Sequence, residues 1–281
     1  MKFLVTGYHG QLGYDVIQQL NSSNYSCFGA SREDFDITDE FETKQFIRNY
    51  KPDAVIHCAA YTSVDKAEVE KALCYRVNVL GTRHIAQICK DINIKLLYIS
   101  TDYVFNGMGE EPFKPADTPH PINYYGLTKY KGELEVLKYC DKAFIIRVSW
   151  LFGINGNNFV KTMLRLAKEK KVIHVVCDQI GSPSYTQDVA KLISDMISTD
   201  KYGVYHAVNQ GYCSWYEFAR EIFDLTNTPS SVNPIKAKEY PTIAIRPYNS
   251  RLSTEKLKMA GFTRLPHWRN ALVRYLKEVH Q

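Results

Sequence analysis

Short apolar runs alternate along the first half of the chain with stretches in which apolar positions recur every three or four residues. The runs at Lys2–Thr6, Ser26–Ala30, Ala54–Cys58, Leu96–Ser100 and Ala143–Val148 are too short for helices and show little polar alternation. They predict strands buried on both faces, as in a parallel sheet covered by helices. Between them, helices are expected at Gln11–Leu20, about Glu40–Asn49, about Ala72–Lys90 and Tyr125–Leu137. This order predicts a Rossmann-like, doubly wound α/β fold. After Trp150 the rhythm loosens. Strands are expected at Val172–Cys177 and Gly203–Ala207 and helices near Gln187–Ser198 and Trp215–Thr226, while Thr228-Pro229, Asn233-Pro234 and Arg246-Pro247 interrupt the periodicity. The expected division is a larger unit over 1–150 and a smaller α/β lobe over 151–281, with an approximate boundary that the chain can cross back over. Long connections of this kind close over ligands.

Composition narrows the class. The 281 residues are 45% hydrophobic, enough for a sizeable core, and no run approaches the roughly 18 apolar residues of a membrane helix. Met1-Lys2-Phe3-Leu4-Val5-Thr6-Gly7 reaches glycine too early for a signal peptide, so a cytoplasmic protein is expected. The formal charge of +5 is spread along the chain; it suits an anionic ligand without calling for nucleic acid. Seven widely spaced cysteines with no CxxC pair read as reduced, structural residues, and no metal-ligand spacing stands out.

Directly after the first strand stands Gly7-Tyr8-His9-Gly10-Gln11-Leu12-Gly13, a GxxGxxG spacing that opens into a helix. Glycines there let the backbone approach a pyrophosphate seated at the helix N-terminus, and Gln11 and Leu12 belong to the same loop. The second strand ends Gly29-Ala30-Ser31-Arg32, without the carboxylate that would hold a ribose 2′-hydroxyl. Ser31 and Arg32 therefore favour NADPH over NADH, and Asp36-Ile37 are placed to border the adenine.

Two further features carry chemistry. Tyr125-Gly126-Leu127-Thr128-Lys129 puts a phenol and an ammonium on one helical face. Such an ammonium favours the phenolate and brings the phenol towards the range of useful proton transfer. Ser100-Thr101-Asp102 ends the fourth strand, where open α/β sheets place their ligands. Either feature alone is weak; together with the glycine loop, in this order, they are strong.

These blocks, with Cys58-Ala59-Ala60 and Asn78, resemble the extended short-chain dehydrogenase/reductases. Finer blocks resemble the dTDP-4-dehydrorhamnose reductases: Ala60-Tyr61-Thr62-Ser63-Val64-Asp65-Lys66-Ala67-Glu68, Ser100-Thr101-Asp102-Tyr103-Val104-Phe105, Arg147-Val148-Ser149-Trp150, Asp178-Gln179-x-Gly181-x-Pro183 and Arg246-Pro247-x-Asn249-Ser250-Arg251-Leu252. The resemblance spans the whole chain. It implies reduction of the C4 ketone of dTDP-4-dehydro-β-L-rhamnose by NADPH. Tyr125 would be the proton donor, Lys129 the group that holds the nicotinamide ribose, and Thr101 the hydroxyl on the sugar carbonyl. Ala59, Ala60, Tyr61 and Ile99 would border the cofactor, and Asn78 matches a water-relay position. Asp102 and Trp150 match sugar-contacting positions, with Asn158, Gln179 and Arg251 assigned to the rest of the substrate. Some members bind Mg2+ through acidic residues at a homodimer interface. Asp15 stands where those carry Glu, so the resemblance leaves Mg2+ and that dimer open.

A related epimerase or 4,6-dehydratase shares the Thr, Tyr and Lys, but a dehydratase typically carries Asp-Glu after the Thr, and here Asp102 precedes Tyr103. A non-catalytic subunit of a methionine adenosyltransferase shares the fold, and the Tyr125/Lys129 pair gives that reading no support. His57 reads as a core residue, Asp65 and Glu68 as complements to a helix dipole, and Ser214-Trp215-Tyr216-Glu217 as a capped helix start.

Overall fold

A computed structural model describes residues 1–279. Strands β1 (Lys2–Thr6), β2 (Ser26–Ala30), β3 (Ala54–His57), β4 (Lys95–Thr101) and β5 (Ala143–Val148) form one parallel sheet with the strand Gly203–His206. The order across it is Gly203–His206, β5, β4, β3, β1, β2. The two-residue period of a strand explains its two buried faces. Phe3, Val5, Ile56, Leu97, Phe144 and Ile146 point into one core. Leu4, Val55, Leu96, Tyr98 and Ile145 point into the other. The inner strands are therefore largely apolar, which made their runs legible, whereas the edge strand β2 is fully buried only at Ala30.

The chain leaves β1 for β2 on one side and returns to β3 on the other. That reversal opens a crevice beyond the carboxyl ends of β1, β3 and β4. The helix Gln11–Ser22 starts at this crevice and shares a core with the helix Thr186–Ile197. A separate core, with Phe152, Tyr185, Phe218, Trp268 and Tyr275, holds the smaller lobe together. Strand Gly203–His206 and helix Thr186–Ile197 follow residue 151 in sequence yet pack into the larger unit.

Three local features depart from the sequence reading. The long helix expected from Ala72 is continuous from Lys71 to Asp91 but contains a π-helical turn at Arg76–Gly81, with Asn78 inside it. Asn233-Pro234 lies within a strand, Ser231–Ile235, which pairs in parallel with Val172–Val176. Proline is tolerated there because the strand has a single neighbour. The helices Phe159–Glu169 and Trp268–Val279 were not expected; both supply side chains to the smaller lobe's core. No helix among the described residues is long and apolar enough to cross a membrane.

Candidate active site

The glycine loop closes the base of the crevice. Gly7 has φ +70, a left-handed conformation that penalises any Cβ, and an added Cβ would lie 2.7 Å from the Ala59 backbone. A Cβ on Gly13 would lie 2.4 Å from the Gly7 carbonyl oxygen. Strand, loop and helix are thus packed backbone to backbone. The result is a cavity of about 930 Å3, at the upper end of the range for ligand pockets. Gly7, Gly10, Gln11, Leu12, Gly13, Ser31, Arg32, Asp36, Ile37, Ala59, Ala60 and Ile99 all line it, as do Thr101, Asp102, Tyr125, Lys129 and Trp150. The donor set fits a dinucleotide: a bare backbone cradle at the helix start and a cation at the far end.

At that far end, Ser31 is held by Asp34, to which both its amide and its hydroxyl donate. The Arg32 side chain is 82% exposed and donates to Asp36 at 3.2 Å. It is an exposed cation on the cavity wall whose one ion pair is with Asp36 beside it.

The reacting end is built by β4 and the helix Tyr124–Tyr139. Asn123 caps that helix, accepting from the Gly126 amide at 2.8 Å, and Glu68 accepts from the Tyr124 amide at 2.7 Å. Lys129, one turn beyond Tyr125, is buried; its ammonium donates to the Ile99 carbonyl at 2.7 Å and lies 4.1 Å from the centre of the Tyr98 ring. Burial pulls its pKa down to about 7, against the opposing charge of Glu133. Burial likewise pushes the Tyr125 phenol well above its usual range, opposed by the neighbouring Thr101 hydroxyl, so the phenol is protonated at neutral pH. The expectation that Lys129 brings the phenol down is not met: burial raises the phenol, and the group that opposes it is the Thr101 hydroxyl rather than Lys129. Thr101 donates to Asp102 at 2.9 Å. Asp102 is buried and pushed up to about 6 by burial, with the Ser250 and Thr101 hydroxyls opposing. Its Oδ2 makes no hydrogen bond of good geometry among the described residues.

Trp150 faces this end with φ +48, a strained conformation for a bulky residue. Its indole stacks on Trp215 at 3.5 Å with an 11° interplanar angle. Trp215 also lines the cavity, a role missed in the sequence because its position after Ser214 read only as a helix start. That capping box is present.

Other candidates stand elsewhere. Tyr61 and Asn78 do not line the cavity: the Tyr61 amide donates to Asn78 Oδ1 at 2.8 Å, and Asn78 Nδ2 donates to the Tyr61 carbonyl and Thr128. Asn78 is therefore a brace between the crevice loop and the helix Tyr124–Tyr139. Asn158 caps the helix Phe159–Glu169 and donates to the Gly153 carbonyl and the Tyr275 hydroxyl. Gln11 turns its side chain to the same place, accepting from the Gly153 amide at 3.0 Å. Gln179 is buried off the cavity, and Arg251 donates to Asn249 at 3.1 Å. Asp65 stands in the first turn of the short helix Val64–Ala67, as a dipole complement would, and it also forms a two-pronged pair with Arg246, at 2.6 and 3.1 Å, and accepts from the Ala244 amide. His57 is fully buried between the Thr6 and Thr82 hydroxyls. Asp15 is buried against the Thr186 hydroxyl, and no cluster of three or more His, Cys, Asp or Glu among the described residues is arranged to hold a metal.

A glycine-cornered crevice at the reversal of a parallel sheet, with Tyr, Lys and Thr converging at one end, defines an extended short-chain dehydrogenase/reductase. Residues 1–281 match the family model described as RmlD substrate binding domain. The chain is 40% identical to the dTDP-4-dehydrorhamnose reductase of Aggregatibacter actinomycetemcomitans, over 96% of this chain and 97% of that protein. It is also 40% identical to the spore coat polysaccharide biosynthesis protein SpsK of Bacillus subtilis, over 99% and 97%. A crystal structure of the Bacillus anthracis dTDP-4-dehydrorhamnose reductase in complex with NADP superposes with a TM-score of 0.96 at 43% identity, covering 99% of each chain. Within its class, this chain belongs to the dTDP-4-dehydrorhamnose reductase family.

Proposed function

We propose that this protein reduces the C4 ketone of dTDP-4-dehydro-β-L-rhamnose to dTDP-β-L-rhamnose with NADPH, the last step in making that activated sugar. The observation that carries the reading is the meeting of Tyr125, Lys129 and Thr101 in the same cavity as the glycine loop and Arg32. Bound NADPH supplies the hydride. Gly7, Gly10 and Gly13 would hold its pyrophosphate, Arg32 its 2′-phosphate, and Lys129 its nicotinamide ribose. Thr101 orients the ketone oxygen, and Tyr125, protonated at neutral pH, gives up its proton as negative charge develops on that oxygen. The Lys129 ammonium steadies the phenolate left behind. Trp150 and Trp215 wall the sugar, and Asp102, with an oxygen free of good hydrogen bonds, is suited to accept from a sugar hydroxyl. The reaction would run in the cytoplasm.

The experiment mixes purified protein, NADPH and dTDP-4-dehydrorhamnose and follows NADPH absorbance and the sugar product. Stoichiometric conversion, lost in Tyr125→Phe, supports the reading. A wild type inert toward verified substrate overturns it.

A further inference from the structure

Arg147 belongs to a distinctive block of the sequence, yet the proposed chemistry gives it no task. In β5 it is the Cα partner of Ser100 in β4, so both side chains leave the same face of the sheet side by side. Both reach one carboxylate, that of Glu133. Ser100 donates to Glu133 Oε1 at 2.5 Å, Arg147 Nε donates to the same oxygen at 2.8 Å, and Arg147 Nη2 donates to Oε2 at 2.7 Å. The side chains of Arg147 and Glu133 are only 4% and 1% exposed. Glu133 lies one helical turn beyond Lys129, which itself follows Tyr125 by one turn, so the three share a face.

The same stretch of β4 meets this face at every second residue. Tyr98 donates through its hydroxyl to the Lys129 carbonyl at 3.3 Å, and Ser100 donates to Glu133. Between them, the Ile99 carbonyl takes the Lys129 ammonium. Gly132 permits the close approach, since a Cβ there would lie 2.4 Å from the Tyr98 hydroxyl. Thr101 follows Ser100 directly, so whatever fixes Ser100 against the helix also fixes Thr101 against Tyr125.

The surroundings of Lys129 give Glu133 a second role. Facing Lys129 are Tyr125 on its own helix, His57 of β3, Cys58 just beyond it, Cys74 and Tyr98. Burial holds His57 down to about 3 and Cys58 up to about 12. Burial also raises Cys74, Tyr98 and Tyr125, so all five are neutral near pH 7. Beyond Glu133 stand Arg147, the buried His206 of the neighbouring strand, driven neutral by burial, and Lys256. Among the described residues, Glu133 is then the sole anion set against the Lys129 ammonium.

We propose that Glu133, clamped by Ser100 and Arg147, is a positioning residue that fixes the Tyr125–Lys129 face against the end of β4 and acts as the buried counterion of Lys129. This assignment rests on the reductase reading given above. It is tested in two variants: Glu133→Gln/Arg147→Gln, which removes both charges and avoids leaving one unpaired, and Ser100→Ala, which keeps the pair and cuts one link. The readouts are an NMR titration of the Lys129 side chain in ligand-free protein and kcat against pH. In the double variant the Lys129 midpoint moves to lower pH, and the fall in kcat on the alkaline side moves with it, so the loss is larger at about pH 8 than at about pH 6. Ser100→Ala lowers kcat about fivefold, the worth of one hydrogen bond. A folded double variant with an unmoved midpoint, or with an equal loss at every pH, overturns the proposal. If the double variant does not fold, Ser100→Ala decides, and wild-type kcat in that variant overturns it. A wild type inert toward the sugar nucleotide, with the midpoint still shifted in the variant, removes the reductase reading and leaves the counterion role standing.

Discussion

Arg32→Ala tests how the cleft tells two dinucleotides apart. NADPH and NADH differ by one phosphate on the adenine ribose, which carries about −1.5 to −2 charges near neutral pH. Arg32 is the cation at that end of the cavity, and its side chain is 82% exposed, so the pair forms in nearly bulk dielectric. Two unit charges at contact distance in water gain about 1 kcal/mol, so a phosphate gains about 2 kcal/mol. Arg32 must first release Asp36, an exposed i,i+4 pair worth about 0.5 kcal/mol. The net of about 1.5 kcal/mol corresponds to a roughly tenfold weaker NADPH in the variant, with NADH changed less than about twofold. Because the contact is exposed, raising the salt to about 1 M, where screening acts within about 3 Å, should erase most of the difference. Asp36→Asn should act the other way and tighten NADPH a few-fold, since it frees Arg32 and removes an anion near the phosphate. Fluorescence titration with both cofactors gives the constants. Equal weakening of NADPH and NADH, or discrimination that ignores salt, would refute the assignment of Arg32 to the 2′-phosphate.

Tyr125→Phe should lower kcat by about 10²- to 10⁴-fold, the usual worth of a positioned proton donor, with NADPH affinity preserved; a smaller loss in single-turnover measurement would point to another donor. In the proposed mechanism the Lys129 ammonium would be the active form, and its pKa is lowered to about 7, so kcat/KM should fall as pH rises through that region; an anionic cofactor would favour the ammonium and should move the fall in kcat to higher pH. Matching midpoints in the two profiles would exclude that coupling. Arg147→Met alone should cost about 3–5 kcal/mol by leaving buried Glu133 unpaired, read as a fall in Tm of roughly 10 °C. A Tm within a degree or so of wild type would show that the pair is dispensable. Trp215→Ala removes the stacking partner of Trp150 and should raise KM for the sugar nucleotide about tenfold; a rise confined to NADPH would place that wall against the cofactor.

Most of the sheet was legible because β1, β3, β4 and β5 are buried on both faces, and an apolar run bounded by turns has few other fates; β2, at the sheet edge, is only partly buried. That Tyr125 and Lys129 share one helix face was legible because four-residue spacing on a helix is a local rule. What the sequence did not reveal depends on distant partners. The helix Phe159–Glu169 is an exception, since both its Asn158 cap and the helical spacing of Phe159, Val160, Met163, Leu164 and Ala167 are local signals that were open to a sequence reading. The strand containing Pro234 was missed because proline argues against a strand unless the strand lies at an edge, and edge position is a property of the assembled sheet. Glu133 sits four residues after Lys129, a spacing visible in the sequence. Its burial follows only from Ser100 and Arg147, which arrive from two different strands. Arg246 was likewise read within a motif, and its partner Asp65 lies 181 residues away.

Hydrogen-bond satisfaction separates the site residues that sequence pattern treats alike. A polar group whose valences are met inside the protein has nothing to offer a ligand without breaking a bond, and in a buried setting that break costs about 1–3 kcal/mol. Asn158 uses its amide nitrogen on Gly153, Tyr275 and Gln11 and its oxygen on the Lys161 amide. Asn78 is equally engaged by Tyr61 and Thr128. Both are scaffold: substituting either should disturb geometry before it disturbs affinity. Asp102 differs in kind. It is buried as deeply, yet one oxygen lacks a good partner and the other accepts from Thr101, itself a cavity residue. A buried carboxylate left so is costly unless a ligand completes it, and the raised pKa records that cost. Trp150 stores a comparable cost in its backbone, about 1–3 kcal/mol for a side chain held at positive φ. Asp102 and Trp150 line the same cavity as Tyr125. On the proposed function, a substrate that hydrogen-bonded Asp102 and packed on Trp150 would relieve the first cost and make use of the second, which would concentrate its binding beside Tyr125.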